Sequence, residues 1–250
     1  MLQDLNYIKK YLTNNLEFDF RGEEEEHSVP YRWSHGATDV HLGDGLIVYS
    51  IIQYMRAKVC VCLGSGGGFI PRLMTQARYD LHKQGIFEGN ADYNWGDIGT
   101  TYVVDACNGV GGKSDIEDES SLFRSAFHPR FIKETSEKAY YDFFVKQDIK
   151  IDVLFIDGDH SYEGVKLDFD LYSTMLSDKG IIMIHDTDES YENNLIVSED
   201  SKKHWDKFDG PAKLIKELAD DKDWNIINLF NHKILPNKPS STGITLLNRK

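Results

Sequence analysis

The strongest constraint in this chain is an alternation. Short apolar runs, each about as long as a buried strand, are separated by stretches with helical spacing of apolar residues. The runs are VCVCL (59–63), TYVV (101–104), RFI (130–132), DVLFI (152–156) and GIIMI (180–184). Most are apolar throughout rather than at every second position, which fits strands covered on both faces. Helical stretches follow most of them: Ile70 to Gln84, Ser136 to Lys146, Tyr162 to Leu176 and Pro211 to Ala219. Before the first run, GDGLIVYSIIQYMRA (43–57) reads as a helix with Asp44 as its N-cap. Two late runs, WNIINLF (224–230) and GITLLN (243–248), have only a loop between them and are expected to pair antiparallel. Strand and helix in alternation predict an α/β domain with a mainly parallel sheet, whose ligands bind at the carboxyl ends of the strands.

Composition narrows the partners. Lys and Arg total 28 against 41 for Asp and Glu, a formal net charge of −13 over 250 residues. Nucleic acid and anionic membrane both call for basic patches, so neither is expected as a partner. No apolar run approaches the roughly 18 residues of a membrane span, and no basic-then-apolar leader opens the sequence. The three cysteines form no disulfide framework: Cys60 and Cys62 alternate with valines, and Cys107 is alone. A reducing, cytoplasmic setting is expected. No repeat or Pro-rich linker divides the chain, so it is read as a single domain, 1–250. Residues 1–35 form an N-terminal arm with a short amphipathic stretch, an EEEE run and the aromatic patch VPYRW. Such an arm is a candidate surface for a homo-oligomer.

CLGSGGGF (62–69) follows the first strand and opens a helix. Glycines there allow positive φ and close approach of a ligand, although a tight strand-to-helix turn alone could demand them. A phosphate-binding P-loop needs Gly-Lys-Ser/Thr, and Gly68 is followed by Phe69 and Ile70. A dinucleotide fingerprint counted from Gly64 wants Gly or Ala at position 69. A Gly-x-Gly-x-Gly pattern is complete in Gly64, Gly66 and Gly68. With its strand, this turn resembles the first motif of class I S-adenosylmethionine-dependent methyltransferases. The resemblance implies a Rossmann-like fold with a seven-stranded, mostly parallel sheet, an antiparallel last strand and helices on both faces. It also implies cofactor contacts from Gly64, Ser65, Gly66, Gly68, Asp105, Ser136 and Asp157, with Asp105 accepting hydrogen bonds from the ribose hydroxyls. The late position of Asp105 makes GIFEGNADYNWGDIGT (85–100) an expected insertion in a core of 36–250. Cys62 stands where the family carries an acidic residue.

IDVLFIDGDHSYEGV (151–165) and LSDKGIIMIHD (176–186) are the most specific stretches. They resemble metal-dependent O-methyltransferases of the catechol and macrolide-sugar type and relatives from cephalosporin biosynthesis. That resemblance implies a divalent cation, Mg²⁺ by ligand hardness, on Asp157 and Asp186, with His185 the next candidate ligand and Thr187 and Asp188 nearby. A hard cation favours ionisation of an acceptor hydroxyl, and a base beyond Asp157 can take the proton. His160 is the expected catalytic base, Asp159 the rival, and an N-cap role the plain structural reading of His160. The implied acceptor is a hydroxyl of a small molecule, which Tyr31, Trp33, Tyr93 or Trp95 could cover. Two other readings stay open: a metal-dependent glycosyltransferase using the D-x-D of 157–159, and a non-catalytic binder of S-adenosylmethionine.

Overall fold

The computed structural model describes residues 35, 42–66, 68–83, 99–106, 124, 127–188, 209–230 and 243–250. The strands are β1 Val59–Leu63, β2 Thr100–Val104, β3 Arg130–Ile132, β4 Ile151–Ile156, β5 Leu176–His185, β6 Trp224–Leu229 and β7 Ile244–Arg249. They form one sheet in the order β3-β2-β1-β4-β5-β7-β6. From β3 to β5 every pairing is parallel, and β7 runs antiparallel to both of its neighbours. The expected sheet is therefore present, with its reversed strand placed between β5 and β6.

Alternation along each strand sorts side chains onto the two faces. Cys60, Cys62, Val103, Val153, Phe155 and Met183 pack with α1 (Asp44–Met55) and α2 (Phe69–Lys83). Val61, Leu63, Val104, Leu154, Ile156, Ile182 and Ile184 pack on the other side. There they meet α3, which runs from Ser136–Ala139 into a π segment, together with α4 (Tyr162–Tyr172) and α5 (Gly210–Leu218). Because both faces are covered, the central strands are buried along nearly their full length, which is why they read as unbroken apolar runs.

Differences from the sequence reading have local causes. The first part of β5, Leu176 to Lys179, carries polar residues, and the pairing with β4 shifts register between Ile151 and Val153. That irregular half hides a strand that the apolar count begins only at Gly180. Thr100, assigned to the insertion, is the first residue of β2 and pairs with Val59. Asp44 does not cap α1. Gly43 holds the N-cap position without a side-chain bond, and Asp44 is buried in the first turn. At the amino ends of the strands, Asp152 ties the sheet together. Its Oδ2 accepts from the amides of Lys58 and Val59 at 2.8 and 3.0 Å, and its Oδ1 from Ser177 at 2.8 Å. No described helix is long and apolar enough to cross a membrane. The arm before His35, most of the 85–100 insertion with Tyr93 and Trp95, and Cys107 lie outside the described residues.

Candidate active site

Strand order reverses beside β1: the chain moves to β2 on one side and to β4 on the other. A crevice at the carboxyl ends of such neighbours is where open α/β sheets bind ligands. The glycine turn sits there. Gly64, Gly66 and Gly68 all take positive φ, of 85°, 46° and 80°. For Gly64 the reason is packing, since a Cβ would lie 2.1 Å from the Asp157 carbonyl oxygen. The turn is pinned from β2: Asp105 Oδ2 accepts from the Ser65 amide at 2.8 Å and from Ser65 Oγ at 2.5 Å. Cys62 lies beneath it, fully buried, with its Sγ donating to the Gly64 carbonyl at 3.1 Å. Burial, and then the nearby charge of Asp157, push this thiol well above its usual pKa, so it stays neutral.

The tips of β4 and β5 carry the titratable cluster. His160 Nε2 is 2.6 Å from Asp186 Oδ2 and 3.3 Å from Asp157 Oδ1. His185 Nδ1 is 3.2 Å from Asp186 Oδ1 and 3.3 Å from Asp157 Oδ1. Its other nitrogen, Nε2, faces Oδ2 of Asp44 at 3.4 Å. Asp186 reaches its position with a left-handed backbone, φ 58°. For a non-glycine residue directly after a strand that costs conformational energy, as functional sites often do. Burial alone would lower the pKa of His160, but its hydrogen bonds to Asp157 and Asp186 and their charges raise it to about 10. His185 is likewise driven up against its burial by Asp186 and Asp157. Burial would raise both carboxyls, yet His185 and His160 hold Asp157 and Asp186 well below the usual range.

Several expectations resolve at this cluster. The N-cap of α4 is Ser161, not His160: Ser161 Oγ accepts from the Gly164 amide at 3.1 Å. Asp159 turns away, accepting from the Ser161 amide at 2.9 Å and lying over the first helical turn, where a Cβ on Gly164 would meet its Cγ at 2.4 Å. Asp157 and Asp159 thus do not form one D-x-D cradle. Thr187 is turned toward β7, accepting from Thr245 Oγ1 at 2.8 Å, and Asp188 packs beside Gly243. Ser136 opens α3 with its hydroxyl on the buried Asp168 of α4. Among the described residues, two groups have donors close enough for a metal ion: Asp157, His160 and Asp186, and His35, Asp157 and His185. Neither His35 nor the buried Asp44 was legible as a site residue. Each lies over a hundred positions from Asp157, with no local motif to mark it.

A sheet of this order with a glycine turn at β1 and acids at β4 and β5 defines the class I methyltransferase fold. A family profile described as a methyltransferase domain matches residues 61–187, and the chain belongs to that family. The glycosyltransferase reading is set aside with it. No curated protein matches by sequence. Solved structures show the same fold. An O-methyltransferase from Bacillus cereus in complex with SAH is similar at 15% identity and a TM-score of 0.58, covering 100% of both chains. The O-methyltransferase TomG from Streptomyces achromogenes, involved in tomaymycin synthesis and in complex with SAM, has 10% identity and a TM-score of 0.55, covering 96% of each chain. An SAH-bound methyltransferase from Podospora anserina has 12% identity and a TM-score of 0.56, covering 92% of this chain and 89% of its own.

Proposed function

We propose that this chain transfers the methyl group of S-adenosylmethionine to a hydroxyl of a small molecule, assisted by a divalent cation at Asp157 and Asp186. The observation that carries the reading is the pair of carboxylates at adjacent strand tips, bridged by the imidazoles of His160 and His185, beside the glycine turn of a methyltransferase fold. Two half-buried carboxylates facing each other need positive charge between them. The protonated His160 and His185 supply it in this arrangement, so the donor set suits a divalent ion. A bound cation would supply a hard Lewis acid that favours ionisation of an acceptor hydroxyl.

The residues of the chain divide the remaining work. In this reading Asp105, which fixes Ser65 from the end of β2, also accepts from ribose hydroxyls, and the backbone of Gly64, Ser65, Gly66 and Gly68 borders the same crevice. His160 can act as base only when Nε2 is neutral. Compensating the charges of Asp157 and Asp186 releases its proton, after which Nε2 can accept the proton of the acceptor. The test begins with calorimetry: S-adenosylmethionine and its demethylated product should bind, and NAD should not. Methyl transfer to a panel of catechols and sugar hydroxyls is then followed by mass spectrometry, with and without chelator. Binding with no transfer to any acceptor would favour the non-catalytic binder. Transfer undiminished by exhaustive chelation would remove the cation from the mechanism.

A further inference from the structure

His35 is the residue that neither the motifs nor the proposed reaction uses. It is 5% exposed, with its ring 4.2 Å from that of His185 and 5.6 Å from that of Phe69, centroid to centroid. Its Nε2 stands 3.7 Å from Asp157 Oδ2, beyond hydrogen-bond length. Its Nδ1 is buried with no hydrogen-bond partner among the described residues. Aromatic packing accounts for the carbon surface of this ring and not for its nitrogens. The nitrogen that an ion beside Asp157 would engage is Nε2, which faces that carboxylate at a distance too long for a direct hydrogen bond and leaves room for a bridging ion.

His185 supplies the second, independent observation. Its Nδ1 faces the carboxylates of Asp157 and Asp186, while Nε2 is backed by Asp44 at 3.4 Å. Asp44 is itself only 2% exposed, on a helix that packs against the sheet. A carboxylate behind one ring nitrogen fixes the tautomer and turns the other nitrogen outward as a ligand, the usual second partner of a metal-binding histidine. Methyl transfer as such gives Asp44 nothing to do.

We propose that the cation at Asp157 and Asp186 is a first-row transition-metal ion bound also by His35 and His185, the latter 3.2 Å from Asp186 Oδ1 and oriented by Asp44, so that the site holds its cation through nitrogen as well as oxygen. The proposal rests on the cation-assisted reading above and replaces Mg²⁺ as the expected ion. Donor atoms of His35, Asp157 and His185 lie within 4.8 Å of one another. Neighbouring donors on a tetrahedral ion stand about 3.4 Å apart, from bonds of about 2.0–2.1 Å, so the side chains would draw together by up to about 1.4 Å around it. Mg²⁺ takes oxygen ligands in a demanding octahedron, whereas imidazole donors favour ions such as Fe²⁺, Co²⁺, Ni²⁺ or Zn²⁺. His160 stays outside this ligand set, as its role as base requires.

The experiment is a titration of metal-free protein with Co²⁺, Mn²⁺ and Mg²⁺ by calorimetry, joined to pulsed EPR of the Mn²⁺ complex. Co²⁺ should bind on the order of tenfold or more tighter than Mg²⁺, and the Mn²⁺ spectrum should carry couplings to directly bound imidazole nitrogen. His35→Ala should remove part of that coupling. Asp44→Asn should weaken Co²⁺ by about 10–100-fold while the nitrogen couplings persist. The wild-type spectrum needs no variant to fold. Mn²⁺ bound without nitrogen coupling would overturn the proposal and leave a carboxylate cation site standing. If none of the three ions binds to protein that still takes up S-adenosylmethionine, the proposal and the cation-assisted reading fall together.

Discussion

His160 Nε2 lies 2.6 Å from Asp186 Oδ2, so one imidazole joins the loop after β4 to the tip of β5. The contact settles which way His160 faces: toward the carboxylates, not along α4. His160→Ala should therefore lower turnover by about 10²–10⁴-fold with little change in affinity for S-adenosylmethionine. Steady-state kinetics paired with calorimetry checks both halves. A variant with wild-type turnover would leave the base role to another group.

The cap of α4 belongs to Ser161, and its loss has the opposite signature. Ser161→Ala should cost about 0.5–2 kcal/mol of stability and leave turnover per folded molecule unchanged. Denaturant melts and active-site titration of the same preparation separate the two effects.

Stability of the metal-free protein should depend on pH with a definite sign. The folded pKa of His160, about 10, lies above that of free histidine, because the two carboxylates outweigh the effect of burial. Its stabilisation is present in full below about pH 6.5 and is lost as pH rises to 10. Asp157 and Asp186 are shifted downward, so their contribution is present above about pH 4 and is lost as acid protonates them. Urea midpoints should thus be highest between these limits and fall on the alkaline side. Saturating divalent cation should flatten that alkaline limb. A midpoint constant from pH 6 to 10 without cation would contradict the assignment.

Asp168 predicts the reverse. Burial raises its pKa to about 6 even though Ser136 donates to it, and the charge of Asp159 adds to the rise. A carboxyl raised in the fold stabilises only while protonated, and that benefit is lost as pH climbs through about 4 to 6. Asp168→Asn should gain up to about 2–3 kcal/mol at pH 7 and almost nothing at pH 4. Thermal melts at the two pH values measure it.

What the sequence discloses follows from distance along the chain. Val153 to Ile156 announces a doubly covered strand in its own letters, and Asp157 follows it directly, so strand and ligand are read together. The same holds for Gly64 and Asp105, which end β1 and β2. Asp44 shows the limit. A carboxylate next to a helix start has the local look of a cap, and only the packing of α1 on the sheet turns it inward to His185. His35 had no local signal of any kind. The polar first half of β5 was lost for another reason: an irregular strand abandons the period by which strands are recognised.

Lys58 and Asp152, joined by a hydrogen bond, are 94 positions apart, and β1 pairs with β4 across that interval. Parallel pairing of this span has no hairpin to seed it, and closing so long a stretch of chain makes it a slow step in folding. The two acids, the glycine turn and both buried histidines converge only when that pairing closes. An early folding nucleus therefore holds nothing that a ligand could recognise. S-adenosylmethionine or a metal ion present during refolding should slow unfolding and leave the rate of folding unchanged.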